Sequence, residues 1–228
     1  MAESVNPILI ILAHPRPRQS TVVMRMAAQA AKIEGVTVHD IYAEYPDFLI
    51  DVPAEQELLR QHEVVIFLHP FNWYSAPALL REWQDVVLEY GFAYGRHGQE
   101  LRDKVFFNAV SAGRSIAEYS GEHETHFTLR QLAAPFEQMA RLCSMIYLPP
   151  FALTSARTAA AEDRLAPHLE TWRDLLHALA AGTLNLERAA ASPFLGAETL
   201  APPEPEPEPE PQDTSEAESE AQPPDEGR

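Results

Sequence analysis

Three short stretches of this chain carry residues whose types and spacing could hold a ligand. Residues 14–21, His-Pro-Arg-Pro-Arg-Gln-Ser-Thr, bring Arg16, Arg18, Ser20 and Thr21 together, all able to donate to an anion. Residues 71–75, Phe-Asn-Trp-Tyr-Ser, set two adjacent rings, Trp73 and Tyr74, beside the hydrogen-bonding groups of Asn72 and Ser75. Rings so placed suit a flat aromatic ligand; the plainer alternative is that they close over the core. The third stretch opens with Ser111-Ala-Gly-Arg114 and runs to His126. Small residues at 111–113 let a flat ligand approach the backbone, and a loop of this length in a compact domain is usually functional or mobile. His123 and His126 invite a metal reading, but H-E-x-x-H would need a histidine where the chain has Phe127, so no metal site is expected. They read instead as polar loop residues or acid/base groups.

Each stretch follows an apolar run that should be its support. Residues 7–13 and 64–68 are continuous and apolar, as buried parallel strands are; residues 37–41 alternate, and residues 104–110 and 144–148 complete a set of five. Between them lie helical patterns: one after Ser20, a good N-cap, ending by Gly35; one over 54–62; one from Pro77 with Leu79, Leu80, Trp83, Val86, Val87 and Tyr90 on its apolar face; one over 129–142; and one over 162–181. The Gly- and aromatic-rich residues 91–98 read as a mobile excursion over the ligand face. Five alternations of strand and helix call for an α/β, flavodoxin-like three-layer sandwich with a five-stranded parallel sheet in the order 2-1-3-4-5. In such sheets ligands bind at the carboxyl ends of the strands, where all three stretches fall.

Composition narrows the function classes. The chain has 228 residues and a net charge of −17, of which eleven acidic residues against one arginine from Glu198 onward supply −10, leaving −7 on the first 197. No basic face suggests a nucleic-acid partner. Cys143, the one cysteine, reads as a core residue in a reducing compartment. No window holds about 18 uninterrupted apolar residues, so the expectation is a cytoplasmic protein that meets a membrane only through a partner. Residues 1–183 should form the folded domain and residues 184–228 a disordered acidic tail rich in Pro and Glu.

The first loop contains neither G-x-G-x-x-G nor G-x-x-x-x-G-K-[ST], which argues against a dinucleotide Rossmann site and a P-loop. A helix start suited to phosphate at 16–21, an aromatic loop at 71–75 and a small-residue loop at 111–115 together describe a mononucleotide site, and FMN is the natural occupant. The segments Leu12-Ala-His-Pro with Ser20, Val38-His-Asp-Ile-Tyr with Tyr45-Pro-Asp-Phe and Ile50-Asp, His69-Pro with Trp73-Tyr-Ser, and Pro77-Ala-Leu-Leu with Trp83 lead to Gly91-Phe-Ala-Tyr-Gly. In this order they resemble the flavodoxin-like NAD(P)H:quinone oxidoreductases related to DT-diaphorase, and within them the ancillary proteins of glutathione-gated potassium-efflux systems. The resemblance spans about residues 6–180.

It implies a homodimer holding FMN, with FAD as the alternative, that takes hydride from NADPH or NADH and passes it to a quinone-like small molecule, and that can dock on a Kef-type membrane antiporter. It puts His14, Ser20, Thr21, Val22 and Val23 at the phosphate and ribityl end, and Phe71, Asn72, Trp73, Tyr74, Ser111, Ala112, Gly113 and Arg114 around the ring. Tyr119 matches the position where the family places a tyrosine for hydride transfer; the histidine partner does not align cleanly, and His123 and His126 are the candidates for it. Arg114 stands where the family loop commonly carries a glycine.

Overall fold

The computed structural model describes residues 5–120 and 126–201. His123 lies outside the described residues, as does 202–228 of the expected tail. Strands β1 (Ile8–Leu12), β2 (Val36–Asp40), β3 (Val64–Pro70) and β4 (Val105–Ser111) run parallel, in register Ile8 with Val36 and Val64, and Val64 with Val105. The fifth position is filled by two short pieces, β5 (Ile146–Tyr147) and β6 (Phe151–Leu153), both parallel to β4. The spatial order is 2-1-3-4-5, with β6 beside the far half of β4. One strand at 144–148 was expected there; the difference comes from Pro149 and Pro150, which have no N–H to give the ladder.

The continuous apolar strands divide their side chains between two cores. Ile8, Ile10, Leu12, Val64, Ile66 and Leu68 face α1 (Val22–Ala30) and α7 (Leu165–Ala180), whereas Leu9, Ile11, Val65 and Phe67 face α3 (Val52–Gln61), α4 (Ala78–Val87) and α6 (Ala134–Leu142). A period of two within an unbroken apolar run is what a sheet covered on both sides requires. On the second face Phe67 meets Trp83 at 5.6 Å and Phe106 at 4.8 Å, both edge-on, contacts that add about 0.5–1.5 kcal/mol each beyond area burial. On the first, the Trp172 indole N–H donates to the Met26 carbonyl at 3.1 Å and ties α7 to α1.

Several expected elements differ in detail. The helix over 129–142 is broken into α5 (Leu129–Leu132) and α6 at Ala133, because Pro135 falls in the first turn of the second piece. Asp40 ends β2 and caps α2 (Ile41–Glu44), its carboxylate accepting from the Tyr42 and Ala43 N–H groups. Tyr90 is exposed rather than on the apolar face of α4. Residues 91–98 do not cover the ligand face: Phe92 and Ala93 are buried in the second core, and a Cβ on Gly98 would sit 2.1 Å from the Tyr94 carbonyl oxygen, so the turn closes on itself. The folded part also continues beyond 183. Residues 184–201 form α8 (Leu186–Ala191) and α9 (Ala197–Leu200), and Leu184, Ala189 and Leu195 are buried in the first core. Their apolar residues are too sparse for a helical stripe, yet each fills a place beside α7 or β6.

Candidate functional site

Main-chain hydrogen bonds draw the strand ends into one surface. The Ala13 N–H donates to the Leu68 carbonyl, Phe71 N–H to Ser111, and Ala112 N–H to Leu153. Two more run from the loop after β6 to the ring loop: Ser155 N–H to the Arg114 carbonyl at 2.8 Å and Ala156 N–H to Ala112 at 2.9 Å. Above this surface opens a cleft of about 400 Å³, whose walls include His14, Gln19, Ser20, Thr21, Val22, Asn72, Ser111, Ala112, Gly113 and Arg157. A second cavity, of about 710 Å³, adjoins it and shares His14, Gln19, Asn72 and Arg157, adding Arg16 and Trp73.

At one end the cleft meets the start of α1. Its flanking residue is Thr21, not Ser20, and no side chain caps the helix; Ser20 Oγ takes only the Met24 N–H, at a long 3.4 Å. The N–H groups of the first turn have no intrahelical acceptor, so this end keeps donors and the positive end of the helix dipole for an anion. Beside it His14 Nδ1 accepts the Arg16 N–H at 3.0 Å, which leaves the ring proton of the neutral imidazole on Nε2. Burial lowers the His14 pKa against the opposing pull of Asp40, so the neutral donor form holds at physiological pH.

The other end is lined by small groups. Ala112 is buried, and a Cβ at Gly113 would meet nothing within 4 Å, so the space over this backbone is open. Trp73 and Tyr74 both have positive φ, 51° and 60°, which is uncommon for aromatic residues and costs roughly 1–2 kcal/mol each. That strain turns Trp73 outward: it is 92% exposed, not closed over the core. Non-glycine residues held left-handed at a strand's carboxyl end are a mark of functional loops.

The remaining expected site residues divide by position. Val23 and Phe71 are buried beneath the cleft and Phe71 belongs to the second core. Arg114 does not line the cleft: its guanidinium pairs with Glu118 at 3.0 Å, while Glu118 also accepts from the Ser115 N–H and hydroxyl at 2.7 and 2.9 Å. Tyr74, then Glu118, hold Arg114 more firmly protonated than usual. Tyr119 is buried next to this group, its pKa raised by burial first and by Tyr74 second. His126 is exposed and lines neither cavity.

Beneath Pro70, His69 is fully buried; its Nδ1–H donates to the Pro70 carbonyl at 3.1 Å and its Nε2 accepts from Asn108 Nδ2 at 3.2 Å. Burial pushes its pKa down to about 4, so it is a neutral brace for the strand end. Sequence reasoning passed over Gln19 and Arg157. The second could be found only by recognising β6, because a strand ending at 148 leaves residue 157 far from the carboxyl edge.

An anion end with neutral and backbone donors is thus joined to an end of small residues and open space. The sequence profile of the flavodoxin-like fold family matches residues 6–176. The chain belongs to this family. Among curated relatives, the glutathione-regulated potassium-efflux system ancillary protein KefG of Shigella flexneri is 40% identical over 169 residues, spanning 74% of this chain and 92% of the relative. Two solved family structures extend the likeness. General stress protein 14 of Treponema denticola, in complex with FMN, is 36% identical with a TM-score of 0.72, over 76% of this chain and 99% of that one. An NADPH-quinone reductase of P. pentosaceus is 32% identical with a TM-score of 0.64, over 72% of this chain and 96% of the other.

Proposed function

We propose that this protein is an FMN-dependent oxidoreductase that takes reducing equivalents from NADPH or NADH and delivers them to quinones or similar flat electrophiles. The observation that carries this reading is the uncapped start of α1 facing the open backbone of 111–113 across one cleft, in a chain 36% identical to a structure that holds FMN. His14, Ser20, Thr21 and Val22 would hold the phosphate and ribityl end, with Asn72, Trp73, Ser111, Ala112 and Gly113 around the ring. Bound flavin would supply two-electron hydride chemistry. The chain's own part is to fix the ligand and to offer backbone N–H groups where negative charge builds. With one exposed face serving donor and acceptor in turn, initial rates with NADPH and a quinone should give parallel double-reciprocal lines. Intersecting lines would count against a shared face.

The 40% identity to KefG favours a second role that can coexist with the first, as a subunit that docks on a Kef-type antiporter and promotes its opening. Among the described residues no helix is long and apolar enough to cross a membrane, so such docking would be through protein contact. Potassium efflux from cells carrying the antiporter, with and without this protein, tests the docking role.

A further inference from the structure

We propose that Arg157 grips the ligand's phosphate, closing the anion end of the cleft that α1 opens; the inference rests on the flavin reading. Arg157 lines both the 400 Å³ cleft, where it shares the wall with Ser20, Thr21 and Val22, and the adjoining 710 Å³ cavity. The two arginines that sequence alone offered for this task are placed elsewhere. Arg18 lines neither cavity and Arg16 lines only the second.

The side chain is also uncommitted. Among the described residues Arg157 enters no ion pair, whereas its neighbour Arg164 spends its guanidinium on the Thr154 and Ser155 carbonyls at 2.9 and 3.1 Å and on Glu162. Arg164 thereby braces the loop that presents Arg157, which the Ser155 and Ala156 N–H bonds already fasten to the ring loop. Bracing of the loop leaves the side chain of Arg157 as the part still to be ordered on binding.

Charge favours a cation at this place. The chain carries −17, and a phosphate monoester brings nearly two more negative charges, so the molecule as a whole repels its ligand. Among the described residues no Asp or Glu lines either cavity, and Arg157 is the only ionised side chain on the wall of the first. In direct contact with a phosphate its attraction would be screened less by salt than the repulsion from carboxylates more than a Debye length away.

The test is a binding titration rather than turnover. Purified full-length protein is titrated with FMN and with riboflavin, followed by flavin fluorescence, for the wild type, Arg157→Gln, Arg157→Lys and the exposed control Arg173→Gln. Arg157→Gln should weaken FMN about tenfold or more, the effect of losing one charge-assisted hydrogen bond, while riboflavin affinity stays as in the wild type. Arg157→Lys, which keeps the charge and loses the fork, should fall between, and Arg173→Gln should change nothing. An Arg157→Gln protein that binds FMN like the wild type, or that loses FMN and riboflavin equally, overturns the assignment while leaving the flavin reading intact. A wild type that binds no FMN overturns both.

Discussion

Removing the carboxylate of Glu55 should unfasten one whole side of the sheet. Glu55 on α3 is 1% exposed and accepts three hydrogen bonds: from His39 Nε2 at 2.7 Å, the Tyr45 hydroxyl at 2.6 Å and the Trp83 indole N–H at 2.7 Å. Those partners come from the end of β2, the segment after α2, and α4, the helix that follows the aromatic loop. In Glu55→Ala the Trp83 and Tyr45 donors stay buried without acceptors. At about 1–3 kcal/mol for each stranded group, with part of the loss relieved by water at the half-buried His39, the cost should be about 3–5 kcal/mol. Against the 5–15 kcal/mol that holds a typical domain together, this is a large share.

The pH dependence of that difference identifies its source. Burial opposes the charge on Glu55, but its three donors, His39 first, hold its pKa below the ordinary 4.5. Its contribution is therefore present above that value and lost as pH falls through the folded-state pKa. Burial likewise opposes the charge on His39, yet Glu55 raises its pKa above 6.5, so this contribution is present below 6.5 and lost as pH rises through the folded-state value. The gap between wild type and Glu55→Ala should be widest between about pH 5 and 6.5 and narrower at pH 9. Guanidinium unfolding followed by tryptophan fluorescence at each pH measures it. A gap under about 1 kcal/mol, or one that is the same at every pH, would refute the reasoning.

Three other outcomes follow from single contacts. Arg114→Ala breaks an ion pair between partly exposed partners, so the melting temperature should hardly move and FMN affinity should persist, because Arg114 lies off the cleft. His168 is stacked on Phe151 at 4.3 Å with Nε2 buried and unpartnered, and burial pushes its pKa down to about 4; its neutral form is required, so stability falls as pH drops below 6.5. His168→Phe should raise the melting temperature, and more at pH 5 than at pH 7.5. Gly98→Ala forces a methyl against the Tyr94 backbone and should cost about 1–3 kcal/mol in denaturant unfolding, whereas Gly91→Ala, with nothing within 4 Å, is strained only by its φ of 90°.

Sequence patterns revealed the sheet because they are set by burial alone: a strand covered on both faces must be apolar throughout, and residues 8–12 and 64–68 are. The same logic located the three loops, since the carboxyl ends of those strands follow at once. Contacts made between loops left no such trace. Nothing local indicates that Arg114 would turn to Glu118, that Trp73 and Tyr74 would take left-handed backbone angles and face outward, or that Pro149-Pro150 would divide the fifth strand and carry Arg157 to the cleft. Ser20 looked like a cap because its type allows one. The structure starts the helix one residue later, with Thr21 at its flank and no side-chain cap, which suits a ligand better than a cap would.

The most direct test of the account is the visible spectrum of the purified protein without oxygen, taken after FMN is added and free flavin removed, and again after NADPH enters the same cuvette. The account predicts bound oxidised-flavin bands that bleach on adding NADPH and return when a quinone follows. A protein that stays colourless after excess FMN would contradict it at the cleft itself.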